Sequence, residues 1–161
     1  MWGEEIVNHA ALNDMVAAFA DASLLILLFI VTVADLRTRL VPDRALAVAT
    51  MIVVSLTAAL DPASLPERGL AALGAGGFLL AAALIRPGAM GLGDVKLAAV
   101  LALYLGGGVI AALLVAFVSG SLLGITQIAR HGWAARSGTI PFALFLSLGA
   151  LAILVANLAL D

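Results

Sequence analysis

Two aspartates lie beside apolar segments, where a carboxylate could take part in catalysis. Asp94 lies in the sequence MGLGDVKL, residues 90–97, immediately before an apolar run. Asp35 ends an earlier apolar run and is followed by LRTRLVPD, residues 36–43. Ionisable groups this close to hydrocarbon are energetically costly and are therefore candidates for function. If the fold brings both carboxylates into a partly dry site, they share a proton, and one can act as general base while the other acts as general acid. Such a pair can activate water against a peptide carbonyl without a metal or a covalent intermediate.

Each aspartate also has a purely structural interpretation. Asp94 could cap the following helix, because an Asp before an apolar run commonly accepts hydrogen bonds from the first free backbone N–H groups. Asp35 could be an interfacial carboxylate paired with Arg37 or Arg39, and exposed pairs of that kind contribute little stability. A third aspartate, Asp43, follows a proline and opens an apolar run, which favours a helix cap over a catalytic group.

Three neighbours of Asp94 could support the same site. Gly91 and Gly93 permit positive φ and close backbone approach, so that the carboxylate could be presented beside an extended peptide. Lys96 could meet a carboxylate on a substrate or tune Asp94. Its alternative is an interfacial lysine that extends its ammonium toward water.

The composition predicts that these residues belong to an integral membrane protein. Hydrophobic residues make up 64% of the 161 residues, charged residues 11%, and the mean hydropathy is +1.20. Because a spanning helix needs roughly 20 residues, the chain has room for about six spans and no sizeable soluble domain. The absence of cysteine excludes disulfides, thiolate metal sites and a cysteine nucleophile. We therefore expect a single membrane-embedded domain over residues 1–161, an all-α bundle with apolar segments at residues 16–34, 45–60, 69–85, 95–105, 109–129 and 140–160.

The distribution of charge predicts how the bundle is oriented. The basic residues concentrate in the connections at residues 36–44, 86–96 and 130–136, which fall on one face. Of the 10 acidic residues, only Asp35, Asp43 and Asp94 map to that face. By the positive-inside bias, these connections are cytoplasmic and both termini lie outside.

The fourth apolar segment is too short to span a bilayer alone. Residues 95–105 would rise about 17 Å as a helix, against a hydrocarbon core of about 30 Å. The segment could fuse with the fifth into one long helix through residues 106–108, which are all glycine. Alternatively, those glycines could turn at the outer face and draw Asp94 below the cytoplasmic surface. The charge bias favours the turn.

The residues around both aspartates resemble a known family of membrane proteases. The sequence GLGDVKL, residues 91–97, is similar to the GxGD motif of type IV prepilin peptidases, including the Lys-Leu that follows it. In that family the other aspartate precedes an Ile-Pro-Asn or similar triplet, and here Asp35 precedes Val41-Pro42-Asp43. A weaker third match is IPFALFL, residues 140–146, which resembles the opening of the last helix of the family.

The resemblance implies an aspartic endopeptidase that removes basic leader peptides from prepilins or pseudopilins of type IV pilus and secretion systems. Cleavage would follow a glycine at the cytoplasmic face of the inner membrane, with Asp35 and Asp94 as the aspartyl pair. The implied partners are these substrates and the lipid bilayer, with no cofactor, metal or nucleic acid. Bifunctional members have an additional cytoplasmic segment, often with paired cysteines, that is associated with N-methylation. Its absence here implies the short branch without methyltransferase activity.

Two other classes of function fit some of these features. A small ion-coupled transporter or channel could use Asp35, Asp94 and Lys96 as an intramembrane relay. A structural or assembly subunit could use the aspartates only as helix caps. The asymmetric pair of motifs favours the peptidase.

Overall fold

The chain is an all-α protein. A computed structural model describes residues 2–38, 40–85, 90–131 and 142–160, and within these ranges the chain forms helices, short turns and no β-strand. The helices in chain order are α1 (Trp2–Thr38), α2 (Asp43–Leu60), α3 (Leu65–Ile85), α4 (Leu92–Leu105), α5 (Val109–His131) and α6 (Phe142–Leu160). Short 3₁₀ turns join α2 to α3 (Pro62–Ser64) and α4 to α5 (Gly106–Gly108). The predicted fold class is therefore confirmed.

The number of spanning segments differs from the prediction of about six. In the described part of the chain, five segments are long and apolar enough to cross a membrane: Met15–Thr38, Asp43–Leu60, Pro62–Ile85, Leu92–Arg130 and Phe142–Ala159. The difference arises at α4, whose 14 residues rise only about 21 Å, less than the hydrocarbon thickness. Helix α4 therefore does not qualify alone and joins α5 in one long apolar segment. The chain is a multi-pass helical membrane protein.

Helix α4 lies antiparallel to α3. Gly76 packs against Ala99, where a Cβ added to the glycine would lie 3.1 Å from the Ala99 Cβ. Earlier in α3, the Arg68 Nη1 group donates a 2.9 Å hydrogen bond to the carbonyl oxygen of Leu103, later in α4. The two contacts fix the opposite directions of the two helices.

Helix α5 runs parallel to α3 and therefore opposite to α4. The Phe78 and Phe117 rings pack edge to face, with their centroids 6.2 Å apart. About two turns earlier in each helix, Leu70 and Ile110 line the same groove. The chain reverses in the 3₁₀ turn between α4 and α5, where Gly106 has a φ of 54°. Glycine adopts this left-handed conformation without steric cost. The three glycines therefore form a turn between α4 and α5, and residues 92–130 are not one continuous helix.

The bundle has two ends, which we name by their residues. The aspartate end is the one at which α1 ends and α2 and α4 begin. At the opposite, tyrosine end, the Tyr104 hydroxyl lies 2.9 Å from the Ser23 Oγ and donates to the Ala49 carbonyl oxygen at 3.1 Å. Arg68 Nη1 also donates to the Tyr104 carbonyl oxygen at 2.8 Å. This bond satisfies a carbonyl at the C-terminus of α4 that has no partner within the helix. These bonds tie the last turn of α4 to α1, α2 and α3.

Helix α4 forms the centre of the bundle. Leu97, Ala98, Leu101 and Ala102 have no exposed surface, and further buried side chains face the other helices. A helix that is apolar on all sides is typically enclosed by its neighbours. The first turn of α4 lies at the aspartate end, beside the start of α2.

Close packing of α5 on α6 depends on Gly149. A Cβ at this position would collide with the backbone carbonyl of Ala112. We expect Gly149→Ala to lower the free energy of unfolding by about 1–3 kcal/mol or more, because backbone must move to relieve the overlap. Gly77→Ala is the control, since open space surrounds Gly77, and alanine should raise helix stability by up to about 1 kcal/mol. Thermal unfolding in detergent, followed by circular dichroism, measures both. Equal stability of the two variants would contradict this packing.

Candidate active site

Asp35 continues the buried face of α1 into its last turn. Leu24, Leu28 and Val31 precede it at helical spacing, and all are buried. Asp35 itself is only 6% exposed. This burial does not fit the alternative of an exposed interfacial carboxylate. The side chain instead faces the centre of the bundle, where a carboxylate must be paired, hydrogen-bonded or protonated to be stable.

Asp94 is the third residue of α4 and not its N-cap. The N-cap is Gly91, and no side-chain capping bond is made from that position. The backbone N–H of Asp94 donates to the Gly91 carbonyl oxygen at 3.1 Å, and the Asp94 carboxylate accepts a hydrogen bond from the Gly91 backbone N–H. This reciprocal pair resembles one arm of a capping box. The alternative of an N-cap at Asp94 is therefore wrong: its carboxylate lies in the first turn of α4 and bonds back to the residue before the helix.

The fold brings Asp35 and Asp94 together. Asp35, in the last turn of α1, and Asp94, in the first turn of α4, are near enough for their charges to repel each other, and Asp94 is half-buried. The two residues come from helices that run in opposite directions, so their meeting is a consequence of the tertiary fold. Two carboxylates in such a place can share a proton between them.

Gly93 allows the two aspartate-bearing segments to touch. A Cβ on Gly93 would lie 2.9 Å from the Cβ and 3.0 Å from the Cγ2 of Val41. Pro42 is the N-cap of α2, and its carbonyl oxygen accepts the Ala45 backbone N–H at 3.0 Å. The start of α2 therefore holds Val41 against the first turn of α4. A Cβ at Gly93 would disturb this contact.

Neither Gly91 nor Gly93 adopts the positive φ that glycine permits. Gly91 has a φ of −77° and a ψ of 143°, and among the described glycines only Gly106 has a positive φ. A Cβ on Gly91 would make ordinary contact, 3.5 Å from the Asp94 Oδ2. Close approach is therefore the role of Gly93, whereas Gly91 contributes its backbone N–H.

Asp43 and Lys96 form an exposed ion pair between the first residue of α2 and the first turns of α4. The Lys96 Nζ lies 2.9 Å from Asp43 Oδ1 and 3.0 Å from Oδ2, and their side chains are 55% and 70% exposed, respectively. The expected cap at Asp43 is corrected, because Pro42 is the N-cap of α2 and Asp43 is its first residue. Neither interpretation offered for Lys96 included this partner. The pair joins residues 53 positions apart, and no local sequence signal indicates it.

Some sequence-based predictions fall outside the described residues. These are the positions of Arg39, of the basic connections at residues 86–89 and 132–136, and of the Ile-Pro pair that begins the third part of the family resemblance. The remaining candidate residues lie at one end of the bundle. There, the partly buried carboxylates of Asp35 and Asp94 lie near the exposed ion pair of Asp43 and Lys96. This arrangement has the chemical groups needed for general acid–base catalysis.

Comparison with known proteins gives one match. The sequence model of the type IV leader peptidase family matches residues 22–125, which include Asp35, Asp94, Asp43 and Lys96. Curated proteins and solved structures gave no significant match to the chain.

Proposed function

The chain belongs to the type IV leader peptidase family, and from this premise we propose that it is an aspartic endopeptidase. It cleaves basic leader peptides from type IV prepilins or prepilin-like proteins, after a glycine, at the cytoplasmic face of the inner membrane. The observation that supports the aspartic mechanism is the meeting of Asp35 and Asp94. A transporter or channel is disfavoured because the family matched is one of peptidases.

In this mechanism the two carboxylates hold one proton between them. The ionised carboxylate removes a proton from water as the water oxygen attacks the scissile carbonyl carbon, while the protonated one donates to the carbonyl oxygen. As the C–N bond of the tetrahedral diol breaks, the carboxylate that donated its proton takes one back from a diol hydroxyl, and the other carboxylate passes the proton gained from water to the leaving amine. The pair then again holds one proton. Because the two aspartates titrate as a pair, the roles of base and acid belong to the pair and are not assigned to either residue.

The neighbouring residues position this pair. Gly93 and Pro42 keep the start of α2 against the start of α4, and the Gly91 N–H orients the Asp94 carboxylate. Asp43 and Lys96 form an exposed ion pair at the same end of the bundle. None of these five residues takes up the proton of the attacking water.

The test of this function is cleavage by the purified protein in proteoliposomes. Candidate prepilins are added, and mass spectrometry identifies the new N-terminus. The expected product begins one residue after a glycine at the end of a basic leader. It should carry no added methyl group when S-adenosylmethionine is present. Intact prepilins, or cleavage elsewhere, would contradict the proposal.

The orientation in the membrane can be tested separately. The chain has no native cysteine, so single cysteines can be introduced without a background. Impermeant thiol reagents should label cysteines at residues 39, 86 and 131 only from the cytoplasmic side, because of the basic content of these connections. A cysteine placed at Asp61, at the tyrosine end, should be labelled from outside. The reverse pattern would place the aspartate end outside and contradict cytoplasmic cleavage.

A further inference from the structure

Asp43 is the accessible carboxylate at the aspartate end. Among the residues that the structure describes there, Asp35 is buried, Asp94 is half-buried, and the Asp43 side chain is 70% exposed. A cation arriving from solvent therefore meets Asp43 first.

The surroundings of Asp43 are predominantly basic. The exposed side chains at the same end include Arg37, Arg44 and Arg130, as well as Lys96. Like charges brought together at a binding surface oppose association. A basic leader peptide approaching this end is therefore repelled by most of it and requires an acidic contact.

Asp43 already binds a primary ammonium group, that of Lys96 in the same chain. Both carboxylate oxygens bond the Lys96 Nζ, at 2.9 and 3.0 Å. The geometry thus fits the head group of a lysine side chain. Because the Lys96 side chain is 55% exposed, its ammonium can swing into solvent without opening the core.

Asp43 also lies in the right place relative to the proposed chemistry. It follows Val41 and Pro42, and Val41 packs on Gly93, the residue before Asp94. A peptide whose scissile bond lies at the aspartates would therefore have its neighbouring residues near Asp43.

We propose that Asp43 is a specificity-determining residue that binds a lysine or arginine of the leader, and that Lys96 occupies this position until the substrate displaces it. The inference rests on the proposed function. It assigns leader recognition to a residue that takes no part in water activation. Lys96 acts as an internal competitor, so its removal strengthens recognition of a basic leader.

The experiment measures kcat/KM in proteoliposomes for one prepilin and for a variant in which the basic leader residue nearest the cleavage site is replaced by Gln. For the wild-type protein, this replacement should lower kcat/KM about two- to fivefold, which is the effect typical of losing an exposed ion pair. Asp43→Asn should show no dependence on the leader residue. Lys96→Met should show a larger dependence than the wild type and a higher kcat/KM for the basic leader.

Two further variants guard against indirect effects. Asp61→Asn removes an exposed carboxylate at the tyrosine end and should keep the wild-type dependence on leader charge. Asp43→Lys should prefer a leader with Glu at the tested position. Equal dependence in the wild type and Asp43→Asn, or no change in Lys96→Met, would overturn the inference while leaving the peptidase proposal standing. Failure of the wild type to cleave either prepilin would overturn both.

Discussion

Asp94→Asn is expected to slow leader cleavage by about a thousandfold or more while leaving the bundle folded. Asn can still accept the hydrogen bond from the Gly91 N–H, so the first turn of α4 keeps its local structure. It cannot exchange the proton that general acid and base catalysis require, and such catalysis contributes about 10²–10⁴ in rate. The measurement is the single-turnover rate of prepilin cleavage in proteoliposomes, with circular dichroism to check folding.

Asp61→Asn is the matched control for this loss of a carboxylate. The Asp61 side chain is exposed at the tyrosine end, far from the proposed site along α2, so its rate should equal that of the wild type. Substantial cleavage by Asp94→Asn would contradict a catalytic role and favour a carboxylate that only completes the helix terminus. An equal loss in Asp61→Asn would show that the assay reports folding and not chemistry.

Gly93→Ala is the second variant expected to have a large effect, on the order of 10- to 100-fold in kcat/KM. The new Cβ would lie 2.9 Å from the Val41 Cβ, so the start of α4 must move away from α2. A displacement of about 1 Å in a catalytic group can cost about 100-fold. Gly91→Ala, in the same motif, makes only ordinary contact at 3.5 Å and should lose much less activity.

A compensating substitution separates this steric effect from a general need for glycine. Val41→Gly removes the atoms with which the new Cβ collides. The double variant Gly93→Ala/Val41→Gly should therefore be more active than Gly93→Ala alone. Full activity of Gly93→Ala, or no recovery in the double variant, would show that the contact between these segments does not position Asp94.

The apolar pattern predicted the helices well, because hydrophobic length is a local property of a membrane span. Five of the six segments begin and end within a few residues of the observed helices. Helix α1 is the exception, since it begins at Trp2 and not near residue 16. The acidic residues of the first 14 positions interrupt the apolar run without interrupting the helix, because helical propensity does not require hydrophobicity. The shift of the start of α4 to Leu92 is small but changes the interpretation of Asp94.

The contacts within the candidate site were less predictable. Charge distribution and a resemblance to known motifs placed Asp35 and Asp94 at the same face, but their approach depends on the packing of α1 against α2 and of α2 against α4. The pairing of Lys96 with Asp43, and the contact of Gly93 with Val41, join parts of the chain that are distant in sequence. Neither leaves a periodic signal, so a single sequence supports only the alternatives of cap, interfacial lysine or catalytic partner.

The central claim is that Asp35 and Asp94 work as one unit, and the double variant tests it most directly. Single-turnover cleavage rates are measured for Asp35→Asn, Asp94→Asn and Asp35→Asn/Asp94→Asn at high enzyme concentration, so that residual activity can be detected. Groups that cooperate in one step have strongly non-additive effects. The double variant should therefore be scarcely slower than either single variant. Multiplication of the two single losses, or near wild-type cleavage by either single variant, would contradict the aspartyl pair.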